Sequence, residues 1–211
     1  MTSRYKKLES LAADHALKRV AIRRRLAEFR TIKPQQYFYE LAYCCMTPQS
    51  SAVNAAKAQH VLTIHNFQNE NIDPEPLLYQ KGYYIRFHKT KAKLLQEMKG
   101  NYSVIHSIIM NGMEAFEKRE WLAKNVKGIG LKEATHFLRN IGMNEGMAIL
   151  DRHILKNLKK YNVIRSLPKT LTKKKYLSIE QSFQKFAHAI GIPIDELDLV
   201  FWSNEAGEIL K

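Results

Sequence analysis

The sequence predicts an all-α protein. Residues suited to one buried face recur at spacings of three and four, as along an amphipathic helix; Leu8, Leu11, Ala12 and His15 show the pattern near the N-terminus. No segment shows a convincing period-two alternation, and no internal repeat is found. Glycine and proline fall between the periodic segments, which is typical of short connections between helices.

The helices can be placed in order from their apolar runs and from the residues that begin and end them. Thr47-Pro48 ends the second helix, because the residue before proline is pushed out of the α region. Ser50 or Ser51 can cap the third helix, and Gly142 is the predicted C-cap of the helix over 131–140. The predicted helices are 1–30, 37–46, 52–64, a short helix opening at Asp73-Pro74, 90–99, 102–110, 113–125, 131–140, 152–161, 173–190 and 193–203.

The composition indicates a folded chain with a polyanionic partner. The 211 residues are 45% apolar and 10% aromatic, which suffices for one large domain or two small ones with a sizeable core. Intrinsic disorder is therefore not expected. Lys and Arg total 34 against 20 Asp and Glu, a formal net charge of +14. This surplus favours nucleic acid or an anionic membrane surface as the partner.

The positive charge is unevenly distributed along the chain. The segment 152–179 carries nine Lys or Arg and no Asp or Glu, and a second basic cluster spans 18–33. Because a solvated surface normally mixes both signs, the first segment predicts a phosphate-binding face. The alternative is that Lys-rich helices are simply soluble. The last 17 residues are acidic, so we do not expect them to lie along a phosphate backbone.

Two adjacent cysteines, Cys44 and Cys45, are the only ones in the sequence. Neighbouring cysteines rarely bridge each other, and two thiols cannot hold a four-cysteine zinc or iron–sulfur site. We predict buried thiols in a reducing compartment. No apolar run is long enough to span a bilayer, and the N-terminal segment lacks the apolar stretch of a signal peptide. A soluble intracellular, cytoplasmic protein is expected.

A glycine hairpin over 127–130 separates two predicted helices. It consists of Lys127, Gly128, Ile129 and Gly130. The glycines permit positive φ and leave the backbone uncovered, while the next helix presents free N–H groups and the positive end of its dipole. Such a hairpin can bind one phosphate through main-chain amides without reading the base sequence. An ordinary tight turn between helices is the alternative.

Lys132 and Asp151 are the candidate chemical groups of this region. Lys132 lies two residues after Gly130, one step off the apolar stripe, where the positive field of the helix start favours a neutral, nucleophilic amine. A plain phosphate-contacting lysine is the alternative. Asp151 precedes another predicted helix, so it can be an N-cap, a role that asparagine or serine could also fill. Capping would also hold a catalytic carboxylate in place.

The segment Gly128-Ile129-Gly130-Leu131-Lys132, followed by Asp151, resembles the helix–hairpin–helix DNA glycosylase superfamily. The family pattern is a Gly-x-Gly hairpin, a lysine two residues on in the bifunctional members, and an aspartate at the spacing seen here. The resemblance is closest to the compact archaeal-type 8-oxoguanine DNA glycosylase/AP lyases. The segments that carry it are 125–134, 136–140, 149–155 and 197–199 with Trp202. Like that type, the chain lacks the cysteine cluster of endonuclease III.

The resemblance implies a two-part helical fold with a DNA-binding cleft between the parts. One helical subdomain is 35–143 and contains the hairpin; the other joins 1–34 to 144–211. In the implied mechanism Lys132 attacks C1′, the base departs, and the Schiff base allows strand cleavage by β-elimination. Asp151 stabilises the positive charge on the sugar and helps to activate the lysine. No metal or redox cofactor is required.

The resemblance also implies the residues that recognise the lesion. Phe87, Trp202 and Lys211 match the middle-block aromatic, the tryptophan and the terminal residue that hold the flipped purine. The free carboxylate of Lys211 would accept the N7–H that distinguishes 8-oxoguanine from guanine. Tyr83 and Tyr84 compete with Phe87 for its role. From the residues alone, the alternatives are a core phenylalanine, a core tryptophan and a frayed terminus.

Gln49 is the predicted duplex wedge. It lies in Cys45-Met46-Thr47-Pro48-Gln49-Ser50, which matches the family turn that reaches the duplex near the space left by the flipped nucleotide. The expected partner is double-stranded DNA containing 8-oxoguanine or an abasic site, bound by a nucleoid-associated monomer, with no membrane partner.

Two other functions stay open at the level of the sequence. The Lys132–Asp151 pair would serve a glycosylase for another oxidised base equally well, because only the pocket discriminates between substrates. A non-catalytic helix–hairpin–helix DNA-binding module would need the hairpin and the basic surface but neither of these two residues. An RNA-binding module is less favoured, since no stacking motif of that kind is present.

Overall fold

The protein is built almost entirely from α-helices. The computed structural model describes residues 3–207 and 209, with side chains for 7–205, 207 and 209. The described α-helices are α1 (Ser3–Arg30), α2 (Tyr37–Met46), α3 (Ala52–Ile64), α4 (His88–Gly100), α5 (Tyr102–Met110), α6 (Ala115–Asn125), α7 (Leu131–Asn140), α8 (Arg152–Lys160), α9 (Lys173–Ala189) and α10 (Ile194–Ala206). The all-α prediction is confirmed. Within the described part of the chain, no helix is long and apolar enough to cross a membrane.

Most helix boundaries follow from the capping residues that the sequence provides. The helices predicted at 37–46, 52–64, 102–110 and 131–140 have the predicted bounds. The helix predicted at 1–30 ends at Arg30, and its first two residues lie outside the described part of the chain. The other long helices differ from the prediction by a few residues at one or both ends. Ser51 caps α3, its hydroxyl accepting the Asn54 N–H at 3.1 Å. Gly142 lies one residue beyond the C-cap Ile141 of α7, at φ +73°. There it supplies the left-handed residue that ends the helix.

Two local predictions were wrong between Asp73 and Tyr84. The short helix expected at Asp73-Pro74 is instead a single 3-10 turn, Pro76–Leu78. It leads into a two-stranded antiparallel sheet, β1 (Tyr79–Gln80) and β2 (Tyr83–Tyr84), which was not expected. Strands of two residues are too short to show a period-two alternation. The turn between them contains Gly82 at φ +102°, a conformation that favours glycine.

The contact pattern divides the chain into two compact units. The described residues up to Arg30 and from Asn144 onward form the first unit, and Thr31–Met143 forms the second. The first unit contains α1, α8, α9 and α10, and the second contains α2–α7 and the small sheet.

In the first unit, α10 packs against α1, α8 and α9. The Phe201 ring stacks on Tyr161 and on Phe183, with centroids 5.5 and 5.9 Å apart. Glu196 is 5% exposed and accepts hydrogen bonds from His15 Nε2 at 2.6 Å and Arg23 Nε at 2.8 Å. Burial raises the pKa of Glu196, but these two hydrogen bonds outweigh it and bring the pKa below its ordinary value. This contact joins α10 to α1.

In the second unit, every residue of α2 is buried, and the helix packs against α3, α4 and α7. Phe38 of α2 makes edge-on contacts with Tyr39 and Tyr102. Cys44 and Cys45 are buried thiols that form no disulfide, as the sequence predicted. Burial raises the pKa of the Cys45 thiol to about 12, so this sulfur stays protonated at neutral pH.

Candidate functional site

The predicted phosphate-binding hairpin lies between α6 and α7. Gly128 has φ +81°, and a Cβ at this position would meet Leu94 Cδ1 at 2.7 Å and Cys45 Sγ at 3.6 Å. Glycine is therefore required both for the backbone conformation and for the close approach of the turn to α4 and α2. Ile129 is buried and anchors the hairpin, while Gly130 is the N-cap of α7.

The first turn of α7 brings Lys132 next to a carboxylate. Glu133 Oε2 accepts the Gly130 N–H at 3.2 Å, and Glu133 Oε1 lies 3.3 Å from Lys132 Nζ. The Lys132 side chain is 24% exposed, so it is held at the surface and partly covered. The Gly130 N–H is thus already accepted by Glu133, while the N–H groups of the first turn that follow it have no carbonyl partner within the helix, which suits this end of α7 to an anion.

Lys127 begins the hairpin and points into solvent. Its side chain is 72% exposed, and its ammonium group lies 2.8 Å from Glu97 Oε1 of α4. An exposed ion pair of this kind contributes little to stability, so exchanging Glu97 for a phosphate oxygen would cost little.

In the first unit, both carboxylate oxygens of Asp151 accept hydrogen bonds. Its Oδ1 accepts the N–H groups of His153 and Ile154, each at 2.8 Å, which makes Asp151 the N-cap of α8. Its Oδ2 accepts the indole N–H of Trp202 at 3.0 Å. The capping role considered from the sequence is confirmed. The tryptophan contact was missed, because no local signal connects residues 51 positions apart.

His153 continues the group of side chains around Asp151. Its ring lies edge-on to Trp202 with centroids 6.1 Å apart, and its Nδ1 is 3.3 Å from Glu205 Oε2. The Arg152 Nε donates to His153 Nε2 at 3.1 Å, and the Arg152 side chain is exposed. The His153 ring therefore lies against Trp202 and is itself contacted by the Arg152 guanidinium.

Gln49 and Phe87, the predicted wedge and stacking residues, are both exposed, and both have a backbone conformation in the left-handed region. Their φ angles are +57° and +60°, and Phe87 is the N-cap of α4. Phe87 is 50% exposed, with the Arg86 guanidinium 5.0 Å from its ring centroid. It is not a core phenylalanine. The Tyr83 hydroxyl donates to Leu77 O at 2.6 Å, so the Tyr83 side chain is held against the neighbouring 3-10 turn.

The basic segment 152–179 presents only positive charge to solvent. All nine of its Lys and Arg residues are exposed, in α8, in the connection to α9 and in the first turn of α9. The predicted acceptor of the lesion N7–H, Lys211, lies outside the described residues.

Most of the chain is similar to a known protein family. The family described as 8-oxoguanine DNA glycosylase matches residues 22–192. The chain belongs to this family. The membership inferred from Gly128–Lys132 and Asp151 is thereby confirmed.

Curated members of the family are similar over most of their length. The 8-oxoguanine DNA glycosylase/AP lyase of Fusobacterium nucleatum is 41% identical over 199 residues, covering 89% of each chain. That of Korarchaeum cryptofilum is 36% identical, covering 92% of this chain and 91% of its own.

Solved structures of the family share the fold. The Methanocaldococcus jannaschii 8-oxoguanine DNA glycosylase superposes with a TM-score of 0.85 at 29% identity, with complete coverage of both chains. A structure of the enzyme from that organism in complex with a 15mer DNA containing 8-oxoguanine gives a TM-score of 0.83 at 30% identity, covering 96% of this chain and 100% of the other.

Proposed function

We propose that this chain excises 8-oxoguanine from double-stranded DNA and cleaves the strand at the resulting abasic site. Family membership and the names of its curated relatives support the substrate and both activities. The observation that carries the catalytic assignment is Lys132, partly covered in the first turn of α7 directly after the glycine hairpin. A lysine is the side chain that a glycosylase with lyase activity needs for a covalent intermediate.

Lys132 is the proposed nucleophile. After the target nucleotide leaves the stack, the neutral amine attacks C1′, the bond from C1′ to the purine N9 breaks, and the purine leaves with the bonding electron pair and is protonated. Transfer of one amine proton to the ring oxygen O4′, as the C1′–O4′ bond breaks, opens the sugar ring and gives a protonated Schiff base between Nζ and C1′. The Schiff base acidifies the C2′ proton, so β-elimination breaks the bond to the 3′ phosphate, and hydrolysis then releases Lys132.

Asp151 is the proposed stabiliser of the charge that develops on the sugar. Departure of the base leaves positive charge there, and a carboxylate fixed in advance stabilises it without reorganising during the reaction. The three hydrogen bonds from His153, Ile154 and Trp202 provide that fixed orientation.

The remaining predicted residues have binding roles in this proposal. The hairpin Lys127–Gly130 binds one phosphate through main-chain N–H groups and so fixes the position of the sugar relative to Lys132. Gln49 contacts the duplex beside the extruded nucleotide. Phe87 and Trp202 stack on the lesion base, and Lys211 takes part in its recognition. No step needs a metal or redox cofactor.

The proposed activity requires access to chromosomal DNA, so the proposed location is the cytoplasm, in association with the nucleoid. The exposed basic residues of α8 and α9 support binding along phosphates, and we expect the protein to act as a monomer.

The test is base release from three duplexes of identical sequence. One contains a single 8-oxoguanine, one a single oxidised pyrimidine, and one no lesion. The proposal predicts free 8-oxoguanine and a strand break from the first duplex only. Base release from the second alone would support a glycosylase for another oxidised base. Binding to all three without base release would support a DNA-binding module.

A further inference from the structure

A buried ammonium group lies beneath the predicted wedge turn. Lys91 of α4 is 5% exposed, and its Nζ donates to Met46 O and Pro48 O at 2.6 Å each and to Ser50 Oγ at 3.3 Å. These acceptors match the three donors of an ammonium group. Burial lowers the pKa of Lys91 to about 8, and the charge of Lys132 contributes to this decrease. The ammonium form therefore still predominates at neutral pH.

The same contacts connect two turns that are far apart in the sequence. Ser50 Oγ, which accepts from Lys91, also accepts the Arg86 N–H at 2.9 Å. The Lys91 main-chain N–H donates to Phe87 O at 2.9 Å, which closes the first turn of α4. Lys91 and Ser50 thus connect the turn at Gln49 to the turn at Phe87 through hydrogen bonds.

Both turns contain a non-glycine residue in the left-handed region. Gln49 and Phe87 have φ angles of +57° and +60°. Such conformations cost free energy and persist only where surrounding contacts fix them. Lys91 supplies such contacts to the wedge turn, because it occupies the carbonyl group of Met46, the last residue of α2, and that of Pro48 within the turn itself.

We propose that Lys91 is a positioning residue for lesion recognition. It holds the Gln49 turn against the Phe87 turn, so that both exposed side chains are presented in one fixed arrangement. The inference rests on the proposed function, in which Gln49 contacts the duplex and Phe87 stacks on the base. The hairpin is held separately, by the packing of Gly128 against Leu94 and Cys45, so loss of the Lys91 ammonium leaves that contact in place.

The test compares a substrate that has a lesion base with one that has none. Single-turnover excision of 8-oxoguanine and cleavage of a preformed abasic site are measured for Lys91→Met, Lys91→Arg and the parent protein. Lys91→Met should slow excision by about tenfold to a hundredfold, the effect of leaving buried acceptors unpaired. Abasic-site cleavage should fall much less, and Lys91→Arg should restore most of the excision rate. Lys93→Met, which removes an exposed charge from the same helix, is the matched control.

Hydrogen exchange at main-chain amides gives a readout that does not depend on activity. Lys91→Met should speed exchange in residues 47–50 and 86–88 and leave residues 127–130 unchanged. If Lys91→Met does not fold, Ser50→Ala replaces it, since that change keeps the ammonium and removes an acceptor shared by both turns.

Three results would overturn the proposal: equal losses on both substrates, unchanged excision, or unchanged exchange in both turns. Failure of the proposed function is seen separately, as the absence of 8-oxoguanine release by the parent protein. The exchange measurement would still decide whether Lys91 holds the two turns together.

Discussion

The indole N–H of Trp202 donates to the carboxylate of Asp151, with Nε1 and Oδ2 3.0 Å apart. The other oxygen of the same carboxylate caps α8. A side chain proposed to stack on the lesion base and a side chain proposed to stabilise the sugar cation therefore form one hydrogen-bonded pair. In this arrangement, a change at the tryptophan also changes the orientation of the carboxylate.

Trp202→Phe keeps an aromatic face and removes the indole N–H. Because Asp151 Oδ2 then loses its donor, we expect both 8-oxoguanine excision and abasic-site cleavage to slow by about tenfold. Affinity for the lesion duplex should change less, since a stacking ring remains. The matched control is Trp121→Phe, at the other tryptophan of the chain. A loss confined to 8-oxoguanine excision would mean that Trp202 acts only through the base.

Asp151→Asn separates the capping role from the charge. The amide oxygen can still cap α8, but its NH₂ group would face the Trp202 N–H, and the negative charge is gone. Turnover should fall by orders of magnitude while the protein remains folded, as measured by single-turnover kinetics and thermal melting. Thr172→Ala removes the N-cap of α9 and should cost about 0.5–2 kcal/mol of stability without loss of turnover. Near-normal turnover of Asp151→Asn would mean that Asp151 acts only as the N-cap of α8.

Gly128→Ala tests the hairpin. The new Cβ would lie 2.7 Å from Leu94 Cδ1, so the Leu94 side chain has to shift, and alanine at φ +81° strains the turn. We expect weaker DNA binding and a lower melting temperature. Gly112→Ala is the control, because a Cβ there meets no atom within 4 Å. Parent-like DNA affinity in Gly128→Ala, measured by titration at fixed salt, would exclude the hairpin as a phosphate anchor.

Glu196 predicts a pH dependence of stability in the first unit. Its folded-state pKa is lowered below the ordinary value for a glutamate, so its hydrogen bonds to His15 and Arg23 stabilise the protein fully above that ordinary value. This contribution is lost as the pH falls through the folded-state pKa. Glu196→Gln should therefore be less stable than the parent near neutral pH, by urea unfolding, and the difference should shrink in acid. A difference in stability that does not change with pH would contradict the assignment of this contribution to the ionised Glu196 carboxylate.

Local chemistry made much of the fold predictable. Ser51 and the glycines at 128 and 130 are signals read within a few residues, and they marked the start of α3 and the hairpin before α7 correctly. Lys132 and Asp151 could be singled out because the family pattern is also local in the sequence.

The remaining features depend on contacts between distant residues. The Trp202–Asp151 hydrogen bond spans 51 positions, and Lys91 reaches Met46 and Pro48 over more than 40. Nothing near Lys91 in the sequence distinguishes it from its exposed neighbours Lys89 and Lys93. The two-residue strands were missed for a different reason: Tyr79 and Tyr84 pair across a turn without any alternation to detect.

The most direct test of the central claim is borohydride trapping on a duplex with one 8-oxoguanine. Sodium borohydride reduces a Schiff base to a stable amine, so the parent protein should give a covalent protein–DNA band. Lys132→Gln should give none while still binding the damaged duplex, because only one positive charge among many is lost. Lys93→Gln, at an exposed lysine of α4, should trap like the parent. A normal covalent band from Lys132→Gln would contradict the assignment of Lys132 as the nucleophile.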